Sequence, residues 1–219
     1  MDMAQKNLTI IYYTSNCEDE AFEKKIRQRI IDNSGGLPIV SVSQKPIDFG
    51  TNFCIGDQGA CNHNLFRQIQ IACKNAKTDY VISCEADCLY PKDYFEFKPT
   101  DINQCYKFTP IYILNEWGKG EYKGFFQKDV APLAQITGRL HYIREIDKIL
   151  KGLPYWGNPS SPNPTEMFRR HRWVEVPTKT PIISLKTYNG LRRHTKTNNI
   201  IKNELPYWGD ADKLRKEVF

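Results

Sequence analysis

The chain has 219 residues, 40% of them hydrophobic and 26% charged, which at roughly 150 residues per domain makes one ordinary globular domain and excludes fibrous, disordered and small disulfide-stapled classes. Lys plus Arg number 31 against 25 Asp plus Glu, a net charge of +6, so an anionic partner is expected, with nucleotide, nucleic acid and membrane surface all open. No stretch approaches the ~20 apolar residues that span a bilayer and no basic run feeds an N-terminal apolar core, so a cytoplasmic protein without a membrane span is expected.

Leu8 to Tyr13 is a β-branched and aromatic run ending in Thr14-Ser15-Asn16, and Phe22, Ile26, Ile30 and Ile31 then recur at helical spacing. Ser34-Gly35-Gly36 stops that helix, and Leu37 to Val42 makes a second strand running into Ser43-Gln44-Lys45-Pro46. This is a parallel βαβ unit. A glycine-rich connection from Gly50 to Gly59 leads to a helix over Asn64 to Ala76, with Leu65, Ile69, Ala72 and Ala76 on one face and Asn62 as its cap. Tyr80 to Cys84 is a strand that exits into Glu85-Ala86-Asp87-Cys88.

The second half is less regular. Gln104 to Leu114 reads as a strand interrupted by Pro110, Ile136 to Ile143 as an element bearing Gly138, and Ile143 to Leu150 as a short helix. Gly157 to Pro164 is a proline-rich loop, and Pro181 to Leu185 is a last strand before the basic segment Lys186 to Lys196. Leu153-Pro154-Tyr155-Trp156-Gly157 recurs as Leu205-Pro206-Tyr207-Trp208-Gly209 without repetition of what lies between. A solenoid is therefore excluded, leaving two similar packed turns or, as the alternative, paired aromatic platforms.

Chemistry is expected at the strand exits. Glu85 and Asp87 follow an apolar strand and can face one divalent cation, which could bridge phosphate oxygens. Thr14, Asn16 and Ser43 to Lys45 would share that edge if the strands are parallel, the usual ligand edge of an open α/β sheet. No G-x-G-x-x-G fingerprint and no G-x-x-x-x-G-K-[ST] loop is present. Cys17, Cys54, Cys61, Cys73, Cys84, Cys88 and Cys105 are odd in number and irregularly spaced, which suits a reducing compartment and not a zinc cluster.

On Leu8 to Asn16, Ile39 to Pro46, the helix around Asn64 and Arg67, and Glu85-Ala86-Asp87, residues 8 to 97 resemble a nucleotide-sugar glycosyltransferase of the family A fold. The type is the small, family-2-like one found among bacteriophage and uncharacterised microbial proteins, and the segment around Gln135 to Tyr142 resembles it more loosely. The resemblance implies a single α/β domain with a Rossmann-like mixed central sheet flanked by helices. Residues 1–98 would form the donor and metal half and residues 99–219 the acceptor side. It implies a nucleoside diphosphate sugar donor, of the UDP type, and Mn²⁺ or Mg²⁺ with Asp87 as the principal ligand, directly or through water, and Glu85 facing the ribose or the metal shell. Thr14 and Asn16 would meet the nucleoside, with Gln44 and Lys45 nearby and Arg67 buttressing the pocket. A histidine after a late strand often completes the metal shell in such enzymes, and here Thr187 stands beside the strand while His194 follows; Arg192 and Arg193 would counter the diphosphate. Asp129, Glu145 and Glu166 are the general-base candidates. The acceptor expected is a hydroxymethylated pyrimidine in phage DNA, held by the basic late segments, inside the host cytoplasm and without an obligate protein partner. The alternatives are a surface glycan or protein acceptor, and a non-catalytic nucleic-acid or nucleotide-binding protein.

Overall fold

A computed structural model describes residues 7–128, 131–161, 173–190 and 201–219. The first half alternates strand and helix: β1 (Leu8–Thr14), α1 (Glu20–Asn33), β2 (Ile39–Ser43), β3 (Thr51–Cys54), α2 (Asn62–Asn75) and β4 (Tyr80–Glu85). The second half is richer in strands: β5 (Cys88–Leu89), α3 (Lys92–Phe95), β6 (Cys105–Asn115), β7 (Phe125–Lys128), β8 (Gln135–Gly138), α4 (Arg139–Leu150) and β9 (Val174–Lys186). It closes with β10 (Ile201–Lys202), a β11 (Glu204–Leu205) to β12 (Gly209–Asp210) ribbon, and helix α5 (Ala211–Val218).

One mixed sheet runs β10-β7-β6-β8-β4-β1-β2-β3, with β9 pairing β6 and β5. β3, β2, β1 and β4 are parallel, β8 runs against β4 and β6, and β9 lies parallel to β6. β1 is buried along its whole length, as a central parallel strand covered on both faces must be. Its Leu8, Ile10 and Tyr12 pack with Phe22, Ile26 and Ile30 of α1 and Leu214 and Val218 of α5. Ile11 and Tyr13 point the other way, onto Phe66 and Ile69 of α2 and Tyr142 and Ile146 of α4. The α/β class, the mixed sheet and the flanking helices are those expected from the sequence.

Several boundaries differ, each for a local reason. The connection from Gly50 to Gly59 contains β3, a four-residue edge strand paired to β2. α2 is capped at Cys61, which makes no side-chain cap bond, so Asn62 is already its first residue. β6 runs through Pro110, because its ladder with β9 shifts register between Thr109 and Ile111, where the missing N–H costs nothing. The segment Ile136 to Ile143 divides at Gly138: strand before it, α4 after it. The two Leu-Pro-Tyr-Trp-Gly segments share an internal contact, Tyr155 edge-on to Trp156 at 5.0 Å and Tyr207 edge-on to Trp208 at 4.8 Å, with both tyrosines exposed and Trp208 buried. Among the described residues no helix is long and apolar enough to cross a membrane.

Candidate nucleotide and metal site

The parallel register gathers the strand exits on one edge. Thr14 lies opposite Ser43, Ser43 opposite Cys54, and Tyr13 opposite Glu85. β6 and β9 end on the same edge, with Asn115 opposite Lys186. A cavity of about 200 Å³ opens there between the strand ends and the start of α2. That is below the roughly 300–1,000 Å³ of sites that enclose a whole small ligand, so it would enclose only part of a drug-sized one. Thr14, Glu18, Glu85, Asp87, Lys128 and Lys186 supply its polar wall.

Backbone bonds hold the acidic corner. The Glu85 amide donates to the Tyr90 hydroxyl at 2.9 Å, which donates in turn to the Leu133 carbonyl at 2.8 Å. The Leu185 amide donates to the Asp87 carbonyl at 2.7 Å, and Cys88 pairs with Ser184. β9 is thereby laid beside the acidic turn, and Lys186, 8% exposed, places Nζ 3.6 Å from Asp87 Oδ2. Burial and the Asp87 charge push the Glu85 carboxyl up to about 7, against the pull of Lys128 and Lys186. Burial and the Lys186 charge lower the Lys128 ammonium, while Glu85 and Asp87 oppose them. Burial also raises Glu18, whose carboxylate accepts from the Thr187 hydroxyl at 2.7 and 2.8 Å.

The residues present fit a hard divalent ion. Among the described residues, Glu85, Asp87 and Cys88 offer ligand atoms within 4.8 Å of one another. The two carboxylates are the oxygen donors Mg²⁺ and Mn²⁺ take, whereas burial holds the proton on Cys88.

The other expected residues among those described have partners within the fold or stand outside the cavity wall. Thr14 lines the cavity, but its hydroxyl donates to Glu23 at 2.7 Å and its carbonyl accepts from Gln68 at 2.7 Å. Asn16, at φ 52°, accepts the amides of Gln44 and Lys45 at 2.9 Å each, clasping the β1 exit to the β2 exit. Gln44 donates to the Gly59 carbonyl at 2.9 Å and accepts the Gln58 amide at 3.0 Å. Asn16, Gln44 and the exposed Lys45 are not part of the cavity wall. Arg67 is not part of it either: its guanidinium donates to the Tyr155 carbonyl at 2.8 Å and covers the Tyr155 ring at 4.7 Å. Glu145 is buried on α4, is bonded by Lys148 at 2.6 Å, and stands outside the wall. Asp129, Glu166, Arg192, Arg193 and His194 lie outside the described residues.

Sequence reasoning missed Lys128, Lys186 and Glu18. One signal was available for Lys186, since it ends an apolar strand just as Glu85 does. What made it a site residue, the pairing of β5 with β9, is long-range.

No family model matches the chain, and no curated protein does. Among solved structures, residues 1–349 of TarS from S. aureus in complex with UDP-GlcNAc superpose with a TM-score of 0.50 at 12% identity, covering 82% of this chain and 58% of that one. A glycosyltransferase involved in glycosylation of the major capsid of PBCV-1 gives 0.48 at 12% identity, with 78% and 81% covered. Mannosyltransferase PcManGT from Pyrobaculum calidifontis, in complex with GDP-Man and Mn²⁺, gives 0.47 at 12%, with 82% and 56% covered. This chain thus spans a little over half the length of the TarS fragment and of PcManGT. At such identity the likeness is one of fold: the chain has the mixed α/β fold of the TarS fragment.

Proposed function

We propose that the chain is a metal-dependent glycosyltransferase that moves a sugar from a nucleoside diphosphate sugar, of the UDP type, to a hydroxyl acceptor. The observation that carries this reading is the cavity at the strand-exit edge, where Glu85 and Asp87 stand with Lys128 and Lys186 in one polar wall. Asp87 and Glu85 would hold Mn²⁺ or Mg²⁺, which would supply charge neutralisation at the leaving diphosphate. Lys186 and Lys128, beside those carboxylates, would meet the phosphate oxygens. Residues 1–98 would bind the donor nucleoside and supply the metal ligands. The part from 99 to 219 would supply the lysines and the acceptor side of this single domain.

For the acceptor we keep the hydroxymethylated pyrimidine of DNA, with the reaction in the cytoplasm. The net charge of +6 supports an anionic acceptor, and the basic segments that would hold its phosphates, 169–172 and 192–196, lie outside the described residues. A panel of nucleotide sugars with Mn²⁺ or Mg²⁺ tests the reaction through release of the nucleoside diphosphate. One donor should be turned over, faster with hydroxymethylcytosine-containing DNA than with unmodified DNA. Failure of every donor would overturn the enzymatic reading, and equal rates on both DNAs would overturn the acceptor.

A further inference from the structure

We infer that Lys186 is an exchangeable counter-ion that makes metal and diphosphate bind together. The inference rests on the reading of the cavity as a nucleotide-sugar site. In the protein alone the two carboxylates of the corner face two ammonium groups, and their formal charges cancel. The Asp87 charge is answered by Lys186 at 3.6 Å, while Lys128 stands within the electrostatic reach of Glu85, Asp87 and Lys186. Lys186 is held in this place by the strand and not by its own length, because β9 is laid along the acidic turn by the Leu185 to Asp87 and Cys88 to Ser184 pairings.

A buried charge is costly unless it is answered. A divalent ion arriving alone would bring two positive charges to carboxylates that already have partners, beside two ammonium groups that repel it. A diphosphate arriving alone would meet a Lys186 already paired with Asp87 and two carboxylates that repel it. Arriving together, ion and diphosphate bring little net charge. Glu85 and Asp87 would hold the ion, and the Lys186 head, on a flexible four-carbon stem, would turn from Asp87 onto phosphate oxygen. Each ligand thereby creates the opening for the other, which is positive coupling. Glu18, whose carboxylate accepts from the Thr187 hydroxyl, lies within electrostatic reach of Asp87 and Lys186 as a further carboxylate of the wall.

The test is Mn²⁺ binding, read by the electron paramagnetic resonance of free Mn²⁺ and by calorimetry, with and without UDP, and with GDP in parallel. Wild type is compared with Lys186→Met and Lys186→Arg. In wild type, saturating nucleotide should tighten Mn²⁺ by about tenfold or more. Lys186→Met should bind Mn²⁺ more tightly than wild type in the absence of nucleotide, bind nucleotide more weakly, and lose most of the coupling. Lys186→Arg, which keeps the charge, should retain the coupling. Lys186→Gln gives the same reading as the methionine variant if that variant does not fold. Coupling unchanged in the uncharged variants, or nucleotide-free Mn²⁺ affinity that does not rise in them, would overturn the inference. Wild type that binds Mn²⁺ and nucleotide independently would also overturn it while leaving the proposed function standing. Wild type that binds neither would overturn both.

Discussion

Glu23, 1% exposed, sits behind the β1 exit and accepts from Thr14 at 2.7 Å, Tyr12 at 3.3 Å and Arg27 at 3.3 Å. Burial nonetheless outweighs these partners and pushes its carboxyl from 4.5 up to about 7. An acid that holds its proton more tightly when folded than when unfolded makes the fold less stable as pH rises between the two values. The metal-free protein should therefore lose thermal stability from about pH 4.5 to about pH 7, with Glu85 acting in the same direction. Glu23→Gln, which cannot ionise, should flatten that slope. Melting curves across this range check it, and identical slopes in the two proteins would contradict it. Asp87 is a residue of another kind, since its backbone is pinned by Leu185 while its carboxylate pairs with Lys186 at the cavity. Asp87→Asn should keep the melting profile within a few degrees and lower turnover by about a hundredfold or more, the scale of losing one transition-state charge contact.

Element by element, the legible parts were those whose periodicity belongs to the element itself. β1, α1, β2, α2 and β4 each carry their apolar spacing within their own residues, and the acids at the β4 exit follow from its end. β3 was hidden because it is short, half-exposed and bracketed by Gly50 and Gly56. The start of α4 was hidden because Gly138 reads as a break within one element, when it is the hinge between two. A Cβ on Gly138 would lie 1.7 Å from the Ile102 carbonyl oxygen, so the backbone itself would have to shift. Gly138→Ala should cost about 2 kcal/mol or more in chemical denaturation, and a change under about 0.5 kcal/mol would show that the turn relaxes freely. The roles of Asn16, Gln44 and Arg67 were illegible for another reason. Their residue types suit ligand binding, but their partners, such as Tyr155 for Arg67, come from distant segments that only the fold brings near.

Over the whole molecule, the cavity lies at the strand-exit edge of the sheet, and Glu18, Glu85, Asp87, Lys128 and Lys186 are the charged side chains that line it. The +6 excess that first indicated an anionic partner is not spread evenly in meaning, because Lys128 and Lys186 are set against Glu85 and Asp87 inside the cavity. Thiol chemistry gives an independent check on where the nucleotide goes. Cys17 and Cys61 line this cavity whereas the exposed Cys54 does not. A bound nucleotide sugar with Mn²⁺ should slow alkylation of Cys17 and Cys61 several-fold while leaving Cys54 unchanged, as peptide mass spectrometry would show. Equal protection at all three would place the ligand elsewhere. The central claim, that Glu85 and Asp87 form the metal corner of a nucleotide-sugar site, is tested most directly by the anomalous difference map of a crystal grown with Mn²⁺ and a UDP-sugar. The account predicts one manganese peak at 2.0–2.3 Å, roughly, from carboxylate oxygen of Asp87 or Glu85 and from diphosphate oxygen. Diphosphate density in the cavity without a peak at those carboxylates, or a peak elsewhere on the molecule, would contradict it.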